Sequence, residues 1–136
     1  MASMWLIAPL AALSTFVFNF AWFGPLKMWT HWTNALGLTE EDLHGKYHTA
    51  PVLFGSVLAA LMVETLVVLW VLSTAYAAPT AMDGAVLGLA LGGGVAATTS
   101  LGHRMFAAQG FKVWLIEVTP DVVGLVMIGA VLGAFL

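Results

Sequence analysis

The stretch Leu66-Val67-Val68-Leu69-Trp70-Val71-Leu72 is apolar at every position, and its reading decides the fold class. A transmembrane barrel strand alternates apolar and polar residues, and a surface helix of a soluble domain keeps a polar stripe. Neither pattern is present. A run apolar on every side is a helix surrounded by hydrocarbon. Followed outward it extends from Pro51 to Ala75, and three more runs approach the roughly 20 residues that cross a hydrocarbon core: Met4 to Phe23, Ala81 to Ala107 and Phe111 to Phe135. The connections around Ala77 to Thr80 and Ala108 to Gly110 are tight enough to force antiparallel neighbours. The sequence therefore predicts an all-α membrane protein: four transmembrane helices in two antiparallel hairpins, with residues 1–136 forming a single four-helix transmembrane domain.

Composition agrees. With 136 residues, 61% hydrophobic and 8% charged, and a mean hydropathy of +0.97, the chain has too little polar surface to cover a water-soluble globule. Four Lys and Arg against a formal charge of −3 leave no basic face for a row of phosphates, which argues against nucleic-acid binding. The absence of cysteine removes disulfide frameworks, thiolate metal sites and thiol nucleophiles. Gly92-Gly93-Gly94 falls inside a span and does not follow a strand, so it is not a phosphate-cradling loop, and no nucleophile elbow occurs. Neither an enzyme nor a cofactor is expected.

The basic residues orient the chain. Lys27 and Lys46 lie in the connection after the first span, and Arg104 and Lys112 flank the connection after the third. All four fall on one side, which the excess of Lys and Arg in cytoplasmic loops assigns to the cytoplasm, with both termini opposite. The first span has no basic segment before it and is expected to be retained rather than cleaved.

The long connection, Lys27 to His48, has structure of its own. Gly24-Pro25 ends or bends the first helix, because proline lacks a donor and disfavours helical geometry in the residue before it. Trp22, Phe23, Trp29 and Trp32 supply amphipathic rings for the headgroup level. Thr39-Glu40-Glu41-Asp42 reads as a helix start, the hydroxyl accepting an orphan N–H and the acids complementing the dipole. A short interfacial helix from Glu40 to about His48 is expected.

Several of these stretches together resemble a known family. Trp22-Phe23-Gly24-Pro25, Trp32 and Leu36-Gly37-Leu38-Thr39-Glu40-Glu41-Asp42 look like the opening signature of the bacterial membrane family catalogued as domain of unknown function 1761. Asp83-Gly84-Ala85-Val86-Leu87-Gly88, Phe111-Lys112-Val113-Trp114-Leu115-Ile116-Glu117 and Met127-Ile128-Gly129-Ala130-Val131-Leu132-Gly133 are similar to its third and fourth helices. The resemblance spans nearly the whole chain. It implies four membrane helices in a bacterial cytoplasmic (inner) membrane and brings no assigned activity.

Small residues mark the packing faces. Gly84, Gly88 and Gly92 recur every four residues, and Gly129 and Gly133 repeat the interval, so one stripe on each helix admits a close backbone. Contact within the chain is the simpler use, and a homo-oligomer seam the other.

Polar residues at membrane depth carry whatever chemistry exists. Glu64 lies about 20 Å past Pro51 along a regular helix, with Ser56 and Ala60 on the same face, a small stripe that would turn it toward the bundle. It is expected to point inward, either as a neutral acid hydrogen-bonded to a neighbouring helix or as part of an ion path. Glu117 and Asp121 are one turn apart, so a shared proton, a cation or a basic side chain must relieve their repulsion. Arg104, mirrored across the turn at Ala108 to Gly110, reaches Glu117. Pro120 frees the carbonyl of Ile116, or else Thr119-Pro120 starts a new helix. Asn19, Thr98, Thr99 and Ser100 count to within about 10 Å of the same surface, and with Glu117 they would line a cytoplasm-facing cavity. His31, His44, His48 and His103 all lie near that face. His44 and His48 share a helix face, but no third ligand is fixed by the sequence, so they read as interfacial histidines and no metal site is assigned.

Two functions fit these residues. One is a proton- or cation-linked transporter-like bundle using Glu64 or the Glu117 and Asp121 pair. The alternative is a structural or accessory subunit that docks on a larger membrane complex through the glycine stripes and tryptophan belt. The partners implied are the lipid bilayer and further membrane chains, including a second copy.

Overall fold

In the computed structural model, which describes residues 4–43 and 50–136, Gly24-Pro25 stops the first helix, α1 (Met4–Phe23), as the missing proline donor requires. The chain turns there and enters α2 (Met28–Leu36), bounded by Lys27 and Gly37, both in the left-handed region with φ of 57° and 67°. The glycine is free of the Cβ penalty at that closing position. The sequence places Trp29 and Trp32 in an interfacial belt and does not predict this helix. A single turn, α3 (Glu40–Leu43), follows. It opens where expected: the Thr39 and Asp42 side chains bond reciprocally, Thr39 N–H donating to Asp42 Oδ2 at 2.9 Å and Asp42 N–H to Thr39 Oγ1 at 3.3 Å. The expected continuation to His48 lies outside the described residues.

Next come α4 (Ala50–Ala75), α5 (Ala81–Leu89), a π-helical segment over Ala90–Ala96, α6 (Ala97–Phe106) and α7 (Phe111–Phe135). The described residues contain no strand. Four helical spans are long and apolar enough to cross a membrane: Met4–Phe23, Ala50–Ala75, Ala81–Phe106 and Phe111–Phe135. Each bound is within one residue of its sequence-based range. Such a set suggests a multi-pass membrane protein. At α5 the pattern recurs that opened α3. Thr80 and Asp83 form a reciprocal cap, with Asp83 N–H donating to Thr80 Oγ1 and Thr80 N–H to Asp83 Oδ2.

The most deeply buried span is α7, and the others pack around it. Against α5 the contact is backbone on backbone. A Cβ on Gly84 would fall on the carbonyl oxygen of Gly129, one on Gly129 on that of Gly84, one on Gly88 on that of Leu125, and one on Gly133 on that of Thr80. Residue numbers rise along one helix as they fall along the other, so the two run in opposite directions. Gly92 continues the seam against the Val122 backbone. The triplet Gly92-Gly93-Gly94 lies in the π-helical segment, where the loss of helix propensity is expressed as a widened turn.

Beside this seam the apolar core gathers Ala8 and Ala11 of α1, Val68 and Leu72 of α4, and Leu125, Ile128 and Leu132 of α7. These are the opening turns of α1 and the closing turns of α4 and α7, so the core lies at one end of the bundle.

Candidate functional site

At the opposite end the closing turns of α1, the helix α2 and the opening turns of α4 and α7 surround a cavity of about 580 Å³. Half of its lining residues are aromatic, with Phe16, Phe20 and Phe23 from α1, Trp29 and Trp32 from α2 and Phe54 from α4. The rings brace one another: Phe16 meets Phe54 edge to face at 6.1 Å, and Trp29 stacks against Trp32 at 5.0 Å. Three polar side chains reach the same space, Asn19, Glu117 and Asp121.

Glu117 is fully engaged. Arg104 Nε pairs with its Oε2 at 2.5 Å, and the Trp32 indole donates to its Oε1 at 2.7 Å. The guanidinium reaches back across the turn at 107–110, where it also donates to Gln109 Oε1 at 2.8 Å. That turn needs left-handed backbone at Ala108 and Gly110, with φ of 54° and 86°. The ion pair expected from mirroring the two helices is therefore formed. It also ties α2 to α7, because Trp32 shares the carboxylate.

Asp121, one turn further along α7, makes no hydrogen bond or ion pair among the described residues. It is exposed toward the cavity it lines. Asn19 is partly buried, yet its Oδ1 is shut off from solvent without a donor. A buried acceptor left unpaired is costly and uncommon.

Pro120 does not break its helix: α7 runs through it to Phe135. The carbonyl it frees is taken by a side chain from another helix, the Trp22 indole donating to Ile116 O at 3.1 Å. Thr119 Oγ1 meanwhile donates to Leu115 O at 2.7 Å. A third indole, Trp114, donates to Ala97 O at 3.0 Å and Ser100 Oγ at 3.1 Å, joining α7 to α6 just beyond the π-helical segment.

Two expectations are corrected. Glu64 does not turn into the bundle: it is exposed on α4, with Ser56 and Ala60 exposed on the same side. The face that packs is Leu61, Thr65, Val68 and Leu72, larger residues whose burial sets the rotation of the helix and leaves the neighbouring small stripe outside. Thr98 and Thr99 are likewise exposed and do not line the cavity. The glycine seam and buried Ala97 fix that helix, so the next two residues rotate away from α7. Thr98 Oγ1 bonds back to the Gly94 and Val95 carbonyls. Of the expected polar layer the structure brings together Asn19 and Glu117 only; Asp121 joins them from one turn further along α7, and Arg104 stands behind Glu117.

His31 and His103 are exposed, and among the described residues no group of three His, Cys, Asp or Glu is placed to hold a metal ion. His44 and His48 lie outside the described residues. The aromatic wall went unread as a wall because its rings come from three helices and share no spacing along the chain.

The family described as Protein of unknown function (DUF1761) matches residues 6–133, a range that takes in all but the first two residues of α1, the whole of α2 and every side chain of the cavity. The chain belongs to that family. No curated protein and no solved structure matches it.

Proposed function

We propose that this member of the family is a cation-binding, transporter-like membrane bundle, in which a cation enters the aromatic cavity and is held at Asp121. The observation that carries the reading is the division of labour between two acids one turn apart. Glu117 is neutralised by Arg104, whereas Asp121 faces the cavity without a partner. A carboxylate held at membrane depth is costly unless it meets a positive charge. The spans are arranged as two antiparallel hairpins in a bacterial inner membrane. Lys27, Arg104 and Lys112 all lie at the cavity's end, so that end faces the cytoplasm and both termini lie on the other side. No catalytic step is assigned and no cofactor is required.

The test is charge movement in reconstituted vesicles adsorbed on a solid-supported membrane, with concentration jumps of protons, sodium and ammonium. Wild-type protein is expected to give a current that Asp121→Asn removes and Glu64→Gln preserves. Currents equal in wild type, Asp121→Asn and empty vesicles for all three cations would overturn the reading.

A second reading, an accessory subunit or homo-oligomer, draws support from α4. Every residue from Ala50 to Ala60 is exposed, a length of apolar helix that another chain in the bilayer would cover. Mass determination after purification in mild detergent checks it, and a single chain with nothing co-eluting counts against it.

A further inference from the structure

We infer that the ligand of the cavity is an organic cation without N–H groups, of the quaternary ammonium class, held between the Asp121 carboxylate and the Phe16 and Phe20 rings of α1. The inference rests on the cation-binding reading and names the chemistry of the cation.

Free oxygen ligands are scarce around Asp121. Glu117 has both oxygens taken, by Arg104 and the Trp32 indole, and Asn19 Oδ1 is shut off from solvent and meets no open space. Main-chain oxygens come free where a helix ends or holds a proline, and at this end of the bundle such oxygens are occupied. Phe20 O, Ala21 O and Gly24 O accept from the N–H groups of Gly24, Leu26 and Lys27 at 2.9, 3.0 and 2.8 Å, and Ile116 O accepts from Trp22. An inorganic cation exchanges its water for a shell of oxygens, about 6 to 8 for calcium and carbonyl rings for potassium. One carboxylate cannot replace that shell, nor pair the three N–H donors of a primary ammonium. A quaternary ion has no donor to satisfy and asks only for a counter-charge and apolar contact. A proton needs a single oxygen, and it is the inorganic cation left to compete for Asp121.

Aromatic rings supply the remaining attraction, since their faces draw cations and suit quaternary ammonium above all. Two bonds fix which rings stand beside the acid. The helices α1 and α7 run in opposite directions, with Thr15 Oγ1 donating to Gly124 O at 3.4 Å and the Trp22 indole to Ile116 O at 3.1 Å. Between those points Asp121 falls level with Phe18, so Phe16 and Phe20 lie about 3 Å to either side of it in depth. Both rings line the same cavity as Asp121, whereas Phe18 does not. The volume of about 580 Å³ lies within the ~300–1,000 Å³ typical of small-molecule sites, ample for a trimethylammonium group and an apolar body. A free quaternary ion and the choline headgroup of a lipid share this chemistry.

The experiment uses the full chain in dodecyl maltoside, which carries no choline, and reads ligand binding from tryptophan fluorescence, since Trp29 and Trp32 line the cavity. Three probes are titrated: phenylethyl-trimethylammonium, the neutral hydrocarbon in which carbon replaces its nitrogen, and the primary phenylethylammonium. The trimethyl ion is expected to bind about tenfold more tightly than the primary ammonium. Exchanging lithium for sodium or potassium at constant ionic strength should leave its affinity unchanged. Asp121→Asn should weaken the trimethyl ion about tenfold or more and spare the hydrocarbon, whose retained binding certifies the fold. Phe16→Leu and Phe20→Leu keep apolar volume and remove a ring, so each should weaken the trimethyl ion about fivefold and the hydrocarbon far less. The amine or metal outcome is distinct: if the primary ammonium binds as tightly, or sodium or potassium competes, and binding depends on Asp121, the inference fails and the cation-binding reading stands. Equal losses of ion and hydrocarbon in the ring variants mean that the rings only fill space, and the inference fails again. If no cation shows binding that depends on Asp121, both fail. Adding phosphatidylcholine to the micelles separates the two sources: competition with the free probe assigns the site to the lipid headgroup, and unchanged affinity assigns it to a free quaternary ion.

Discussion

The two ends of the bundle meet opposite packing conditions with different residues. At one end Gly84, Gly88, Gly129 and Gly133 bring α5 and α7 into backbone contact, and Val68, Leu72, Ile128 and Leu132 beside them are fully buried. At the other end, large rings from α1, α2 and α4 stand around empty space, and the polar groups of α7 face it. Inside a bilayer apolar side chains gain little by leaving lipid for protein, so close association depends on small residues that let main chains approach. The glycine end meets that condition. The aromatic end does not, because rigid rings on three separate helices cannot interdigitate to the same density, and what holds it together is a short set of directed bonds: Arg104 to Glu117, Trp32 to Glu117 and Trp22 to Ile116. Rigidity and open volume are thereby separated along one chain, an arrangement suited to holding a ligand.

The sharpest way to break this comparison is to put a side chain in the seam. Gly129→Val would place its Cβ on the Gly84 carbonyl oxygen, and neither backbone can move aside without parting the helices. A loss of about 3 kcal/mol or more is expected, read as a large fall in melting temperature in detergent or failure to give a monodisperse species. Gly102→Ala is the control. Nothing lies within 4 Å of a Cβ there, and the gain in helix propensity should raise stability by up to ~1 kcal/mol. Equal melting of the two variants would show that the seam is not in contact. A milder contrast compares apolar truncations: Leu132→Ala should cost about 2 kcal/mol because the packed end cannot collapse around the gap. Phe54→Ala, at a ring already half exposed, should fall within about 0.5 kcal/mol. A Phe54→Ala loss as large as that of Leu132→Ala would mean that the cavity end is packed too.

The packed end was largely legible in the sequence, and the open end only in part. Gly84, Gly88, Gly92, Gly129 and Gly133 repeat at the helical interval, and a periodic signal reports one helix face without knowledge of its partner. The Arg104 and Glu117 pair was also accessible, since a tight turn fixes which residues of two helices lie side by side. Glu64 was misplaced for a physical reason. On a helix apolar all round, small residues compete with larger ones for the packing face, and only the neighbouring helices decide between Ser56 and Ala60 on one side and Leu61 and Thr65 on the other. The helix α2 escaped because its Trp29 and Trp32 read equally well as interfacial rings. The capping pattern at Thr80-Ala81-Met82-Asp83 repeats the signal recognised at Thr39 and was passed over inside an apolar run.

A smaller effect separates the roles of the two acids. Glu117→Gln keeps an oxygen for the Trp32 indole and removes the charge facing Arg104, whose side chain is 37% exposed against 20% for Glu117. Water therefore compensates part of the loss, and a cost of about 1–2 kcal/mol is expected. Asp121→Asn removes a charge that has no partner among the described residues and should leave stability unchanged or raise it slightly. Comparable losses from the two substitutions would show that Asp121 has a structural partner, and would remove the distinction on which cation binding depends.

The smallest effect tests whether a directed bond at the open end replaces what a proline removes. Pro120 deprives Ile116 O of its usual i+4 donor, and the Trp22 indole takes that place from a different helix. Trp22→Phe keeps most of the ring and strands the carbonyl, for an expected cost of about 1 kcal/mol. Pro120→Ala restores a main-chain N–H within reach of the same oxygen. In that background the Trp22→Phe change should cost less, so the double-mutant cycle should show a coupling of about 0.5–1 kcal/mol between residues on two helices. Strict additivity would mean that the indole contributes by filling space alone. Coupling would establish that α1 is tied to α7 at the point where the aromatic cavity begins, and that the proline is tolerated at membrane depth because a neighbouring side chain satisfies the carbonyl it frees.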